Sequence, residues 1–405
     1  MKSSIHLAAA LGIAVCAAAQ TRTVTDAEVM KVHQSAILID THNDITSRTV
    51  DGFDIGTDAA DTHTDIHRMR KGGMGGEFFA VFVAANYVEG NHAANRTLQM
   101  IDTVRHDIIG AHPETFRFAA TADDILAARK EGRIAALMGI EGGHAIEDSL
   151  RLLRDYYALG VRYMTLTHSN TNNWADSSGD LDNDKVQHHN GLTDFGKDVV
   201  REMNRLGMMV DISHVSDKTF WDAVEVSRAP VFASHSSARA LSNIPRNMTD
   251  DMIRAVAKKG GVVQINFGCE FLNQKSADTS PMTDPVLREK VAKMFAEAKT
   301  PDERKDLMKR LREEYAGKQV RATLADVVAH IDHIKEIAGV DFVGIGTDFD
   351  GVGCVPEGLD DVSRFPNLTR ALLEKGYSAD SIRKIYGGNL LRVMREVEKT
   401  ARSLQ

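Results

Sequence analysis

His42 and Asp44 stand two positions apart in "ILIDTHNDI", where an apolar run over residues 37–40 breaks off into polar side chains. In an extended chain, residues two apart share a face, so an imidazole nitrogen and a carboxylate oxygen can grip one borderline cation such as Zn²⁺. The same residue types follow other apolar runs: Glu141 after "IAALMGI", His168 after "VRYMTLT", His214 after "GMMVDIS", His235 after "PVFAS" and Asp348 after "DFVGIGT". This set can hold two zinc ions. His42 and Asp44 hold the first and His214 and His235 the second, with Glu141 bridging them at the roughly 3.5–4 Å separation of two-metal hydrolases. A water shared by the two ions becomes a nucleophile near neutral pH. Asp348 in "GIGTDFDG" stands where it can take the proton of that water and pass it to a leaving nitrogen. Asp350 competes for the role, but the Gly351 that follows it reads as a turn. His168 in "LTHSNTNNWAD" has two readings, a donor to the developing oxyanion or a buried imidazole satisfied by the Asn-rich loop.

Such a set converges only if the strands that end in these residues lie side by side and point the same way. Eight β-type runs fall at 37–40, 77–85, 134–140, 161–167, 207–213, 230–234, 261–267 and 341–347. Between them lie helical patterns such as "TADDILAARKEG", "DFGKDVVREMNRLG" and "SDKTFWDAVEVS", opened by Thr121, Asp194 and Ser216 as N-caps. Near-continuous apolar strands linked by crossover helices describe a parallel sheet. A doubly wound sheet also fits, but eight strands favour closure into an α/β fold, a (β/α)₈ TIM barrel of the metal-dependent-hydrolase type. The loops after its strands form one face, where residues distant in sequence meet. A charged, helix-patterned stretch from about 270 to 321 reads as a helical insertion between the seventh and eighth strands, a rim element that could also gate the site. His330 and His333 share a helix face before the last strand, away from that rim. Neither they nor His144, His188 and His189 are expected to bind metal.

The 405 residues carry 43% hydrophobic side chains and a formal charge of -8, enough to bury a large core and a poor match to phosphate or anionic lipid. Nucleic acid is therefore not an expected partner. Residues 1–19 read as a signal peptide cleaved before Gln20, leaving 20–405 as one catalytic barrel domain in the periplasm or outside the cell. A lipoprotein anchor on Cys16 is disfavoured by the bulky Val15, and no stretch is long enough to span a bilayer. With Cys16 removed only Cys269 and Cys354 remain, so cysteine-rich zinc sites are excluded. Whether these two pair stays open.

In order and spacing, "IDTHNDI", "GIEGGHAIEDSL", "LTHSNTNNWADS", "HNGLTDFGKDVVREMNRLGMMVDISHVS", "ASHSSARAL", "RNMTDDMIRAV" and "GIGTDFDGV" resemble the membrane (renal) dipeptidase family of zinc peptidases, from about Ile37 to the last helix. The resemblance implies a (β/α)₈ barrel with two zinc ions on His42, Asp44, Glu141, His214 and His235, bridged by Glu141 and a hydroxide. It also implies His168 beside the substrate carbonyl, Asp348 as acid/base, and Arg246 as the residue that grips the substrate's carboxylate. Free dipeptides, including those with a C-terminal D-residue, are the implied substrates, and a homodimer is compatible with this reading. Two rivals stay open: a binuclear amidohydrolase acting on lactones, phosphotriesters or cyclic amides, which would not need Arg246, and a non-catalytic metal-binding protein.

Overall fold

The computed structural model describes residues 22–280, 283, 285–298, 300, 303, 306–307, 310–311, 314 and 319–405. The expected export signal at 1–19, with Cys16, lies outside them. Among the described residues nine strands form: β1 (Leu38–Asn43), β2 (Met74–Phe82), β3 (Phe116–Phe118), β4 (Ile134–Glu141), β5 (Val161–Thr165), β6 (Met209–Asp211), β7 (Val231–Ala233), β8 (Val262–Ile265) and β9 (Val343–Ile345). Eight of them pair in parallel in the order β1-β2-β4-β5-β6-β7-β8-β9. The ring is brought together where Asp348 N–H donates to His42 O at 3.0 Å and Asp44 N–H to Phe349 O at 2.9 Å. This is the expected (β/α)₈ barrel.

The elements differ from expectation in detail. Three-residue β3, not anticipated, lies off the ring and pairs with the start of β4. It is too short to carry an alternation signal. Strand β1 runs on through His42, which lies inside it rather than after it, because the backbone bonds to the last strand extend the ladder. Strands β6 and β9 are shorter than expected, since the chain turns away to reach positive φ at His214 (66°) and Asp348 (63°). The helix Asp194–Leu206 is capped by Thr193, whose side chain accepts from Gly196 N–H, so Asp194 is its first residue and not its cap. Thr121 and Ser216 cap as expected.

Tyr163 on β5 meets Phe78 on β2 and Phe232 on β7, each with centroids 5.3 Å apart. None of these strands is a neighbour of another, so the three rings meet across the barrel interior. Their packing depends on Gly139, where a Cβ would fall 1.9 Å from the Tyr163 ring. A second and larger core, which includes Leu38, Phe79, Val81, Met138 and Ile331, packs outside the ring against the helices. Between β8 and β9 lie the helices Cys269–Leu272, Gln274–Thr279 and Pro285–Glu297 before the crossover helix Leu324–Ala338. Part of this insertion has its own small core of Ala298, Leu307 and Leu311. Among the described residues no helix is long and apolar enough to cross a membrane.

Candidate functional site

Strand ends on one face of the barrel bring six side chains together. Glu141, the last residue of β4, stands at the centre with its two oxygens turned apart. Oε2 lies 3.5 Å from His42 Nε2, which is itself 3.2 Å from Asp44 Oδ2. Oε1 lies 2.9 Å from His214 Nε2 and 3.2 Å from His235 Nε2. His168 Nε2 is 3.8 Å from the same Oε1, and its ring sits against Phe82 at 4.9 Å. Three overlapping groups have donor atoms close enough for a metal ion: His42, Glu141 and His235; Glu141, His168 and His214; and His42, Asp44 and Asp348.

The donor set fits cations on independent grounds. His214 and His235 point Nε2 at Nε2 across 2.9 Å. On the other side of the His235 ring, Nδ1 meets Ser234 Oγ at 2.7 Å, and that hydroxyl donates to Asp211 at 2.5 Å. The Ser234 oxygen therefore accepts from Nδ1–H, which leaves Nε2 as a lone pair. Burial holds both imidazoles well below the usual histidine range, His214 also through Arg246 and His168, and His235 also through His42. The lone pair of His235 Nε2, buried 3.2 Å from a Glu141 oxygen, calls for a positive charge beside it. At His42, burial opposes charge, yet Tyr163, Glu141 and Asp44 raise its pKa well above the ordinary value, and its buried Nε2 has no hydrogen-bond partner. That site, too, demands a positive charge. Its ring is fixed from behind by Tyr163, whose hydroxyl lies 2.8 Å from Nδ1 and donates to Thr41 O at 3.0 Å.

Asp348 lies beside this cluster. Burial, with Asp44 and Glu141 nearby, keeps its carboxyl well above the usual range against the opposing pull of His42 and of the Asn266 amide. That amide donates to Oδ2 at 2.7 Å. Glu141, which burial alone would raise, is held well below the usual range by His42, His168 and the close imidazoles of His214 and His235. The positive φ of His214 and Asp348 is strained for side chains of this size, and such backbone clusters at functional sites. Gly351 permits the approach: a Cβ there would lie 2.4 Å from both Asp348 Oδ1 and Asp44 Oδ2. Asp350 is outside the metal-competent groups and accepts from His63 N–H at 2.7 Å.

Arg246 reaches the rim with Nη1 3.3 Å from Ser236 Oγ and Nη2 3.2 Å from His235 O, its guanidinium 5.1 Å from the centre of the Phe271 ring. Burial lowers its pKa to about 10 against the raising effect of Asp348, Glu141, Asp211 and Glu270, so it stays cationic at neutral pH. Cys269 and Cys354 form a disulfide between the loops after β8 and β9.

His144, His188, His189 and His333 are absent from the metal-competent groups among the described residues. His330 corrects an expectation. It does not lie away from the rim: it is buried beneath it, where Nδ1 accepts from Ala238 N–H and Nε2 meets Leu272 O, both at 3.0 Å. A helix leading into the last strand can pass under loops of that face, which spacing along the helix does not reveal. Sequence reasoning also missed Tyr163, Ser234, Asp211 and Asn266. Only Ser234, directly before His235, stood beside a signal.

A family model described as membrane dipeptidase (peptidase family M19) matches residues 26–405. Among solved structures, the probable dipeptidase PvdM from Pseudomonas aeruginosa is 25% identical with a TM-score of 0.79, over 93% of this chain and 99% of that one. A dipeptidase AC metallopeptidase of family M19 is 25% identical with a TM-score of 0.72, over 89% and 98% of the two chains. The fold is also that of a metallopeptidase from Rhodobacter sphaeroides, solved with a phosphinate mimic of L-Ala-D-Ala and 24% identical, with a TM-score of 0.70 over 89% and 99%.

Proposed function

From the premise that the chain belongs to the membrane dipeptidase family of metallopeptidases, peptidase family M19, we propose that it is an exported zinc dipeptidase that cleaves free dipeptides, including those ending in a D-residue. The observation that carries this reading is the divided carboxylate of Glu141, with one oxygen on the His42 side and the other facing His214 and His235. His42 and Asp44 would hold one zinc ion, His214 and His235 a second, and Glu141 would bridge them. When bound, such a pair supplies Lewis acidity and an activated water.

The chain's own groups do the rest. Asn266 engages Asp348 Oδ2, which leaves Oδ1 to take a proton from the attacking water and return it to the departing amine. His168 donates from Nε2 to the oxygen of the scissile carbonyl as negative charge builds there. Arg246 has donors to spare beyond Ser236 and His235, and its planar fork suits the free carboxylate of a dipeptide. That contact sits one residue past the scissile bond and selects dipeptides over longer chains. Export is supported by the leader-like first 19 residues and by the Cys269–Cys354 disulfide, since such bonds persist in oxidising compartments.

The test is a panel of L,L and L,D dipeptides assayed beside their N-acylated and C-amidated forms, with wild type and Arg246→Ala. Turnover confined to free dipeptides, with Arg246→Ala raising KM far more than it lowers kcat, is the expected result. Equal turnover of amidated substrates, unaffected by Arg246→Ala, would favour an amidohydrolase with no use for a carboxylate.

A further inference from the structure

The residues on either side of Arg246 are held by one guanidinium. Arg239 Nε donates to Asn247 O at 2.8 Å and its Nη2 to Pro245 O at 3.0 Å. The same side chain is gripped by Asp217, with Nη1 at 2.8 Å from Oδ2 and Nη2 at 2.7 Å from Oδ1. A two-pronged pair of this kind is directional as well as strong, so it fixes the plane from which the two carbonyls are held. Asp217 opens the helix Asp217–Val226 directly behind its Ser216 cap, and "SHVSD" joins that point by a short stretch of chain to His214. Arg239 thus fastens the Arg246 loop to the strand end that carries a candidate metal ligand. His214, Asp217, Ser236, Arg239 and Arg246 line one small cavity there.

Arg246 needs this support. Its loop leaves and rejoins the fold at the Ala238–Met248 bridge, and its own hydrogen bonds, to Ser236 Oγ at 3.3 Å and His235 O at 3.2 Å, are at the long end of the range. Asn247 Nδ2 secures the loop to Ser242 O and Phe271 O, both at 2.8 Å, whereas Arg239 reaches the carbonyls both before and after Arg246. Arg239 is not a second grip for a substrate carboxylate, because Asp217 already neutralises it. A free dipeptide presents its scissile carbonyl and its carboxylate at a separation set by one residue. A site that reads both ends must hold its own two ends at a matching distance, and the clamp on Arg246 supplies that rigidity.

We propose that Arg239, braced by Asp217, is a positioning residue that sets the distance between Arg246 and the metal centre, and so makes the site a ruler for one α-amino acid beyond the scissile bond. This rests on the dipeptidase reading, and the experiment separates the two. Wild type, Arg239→Ala, Arg246→Ala, their double variant and the milder Asp217→Asn are assayed for kcat and KM on Ala-Ala and on Ala-β-alanine, with zinc per chain measured alongside. The extra methylene of β-alanine pushes the carboxylate further from the scissile bond. Wild type is expected to favour Ala-Ala by about 10²-fold in kcat/KM, the scale of a misplacement of about 1 Å. Arg239→Ala should raise KM for Ala-Ala about tenfold, in the range of one weakened charge-assisted hydrogen bond, with kcat and zinc content kept. It should also narrow the preference over Ala-β-alanine, and add nothing to KM once Arg246 is already alanine. Asp217→Asn moves both quantities the same way by less. A wild-type preference near one, an unchanged KM in Arg239→Ala, or an equal rise in KM with and without Arg246 overturns the proposal and leaves the dipeptidase reading intact. Should Arg239→Ala fail to fold, Asp217→Asn in the same cycle with Arg246→Ala decides the matter. Failure of wild type to cleave either substrate or any other dipeptide would instead sink the dipeptidase reading.

Discussion

Tyr163→Phe removes one oxygen atom from the middle of the barrel and should weaken metal binding without dismantling the fold. The ring contacts with Phe78 and Phe232 survive the change, and so does the fit over Gly139. What disappears is the partner of His42 Nδ1 at 2.8 Å and the donor to Thr41 O at 3.0 Å. Both sites are fully buried, so no bulk water takes over. Leaving a buried polar group unpaired costs about 1–3 kcal/mol, and partners that orient a ligating histidine are worth about 10–100-fold in metal affinity. The metal-free variant should therefore lose about 1–3 kcal/mol in denaturant unfolding, and chelator competition should show zinc held about 10–100-fold more weakly. Residual activity at saturating zinc should approach that of wild type, because Asp348, His168 and Arg246 are untouched. Zinc affinity within about threefold of wild type, well short of that range, would refute the claim that the hydroxyl orients His42.

Asp348→Asn should keep the full complement of metal while nearly all turnover disappears, since the amide cannot carry the proton. Metal analysis beside a dipeptide assay checks both halves, and a fully active variant would end the acid/base assignment. Acid stability should report on Glu202, which ties the helix Asp194–Leu206 to Leu150–Leu159 through Arg154 at 2.5 Å and pairs with Arg205 of its own helix at 2.8 Å. The Arg205 hydrogen bonds lower its pKa to about 2 against burial, helped by Arg154. A carboxylate depressed in the folded state stabilises above its unfolded pKa, and that contribution fades as pH falls from about 4.5 toward 2. With both arginines nearly half exposed, it amounts to about 1 kcal/mol. Glu202→Gln should lose that much at pH 7 and differ little from wild type near pH 2 in urea unfolding.

The barrel and the ring of polar residues on its face were legible because each strand ends where its chemistry begins. Glu141, His214 and Asp348 close apolar runs whose parallel order alone brings them together. The parts that escaped act across the fold rather than along the chain. Tyr163 reads as an ordinary apolar strand residue, and only the ring closure turns its hydroxyl toward His42. Gly139 gives no hint that its missing Cβ makes room for that ring. His330 shares a helix with His333, yet one is sealed under two rim loops and the other meets Asp250 at 2.7 Å. Arg246 came from family resemblance and not from periodicity, since it sits in a loop with no repeating pattern. The pairing of Cys269 with Cys354 depends on two loops 85 residues apart meeting above adjacent strands.

The central claim is that one carboxylate bridges two cations, and anomalous diffraction from a zinc-loaded crystal tests it most directly. The expected map has two peaks about 3.5–4 Å apart, one bonded to His42 and Asp44, the other to His214 and His235, with Glu141 touching both. A single peak, or two peaks with Glu141 bound to only one of them, would contradict it.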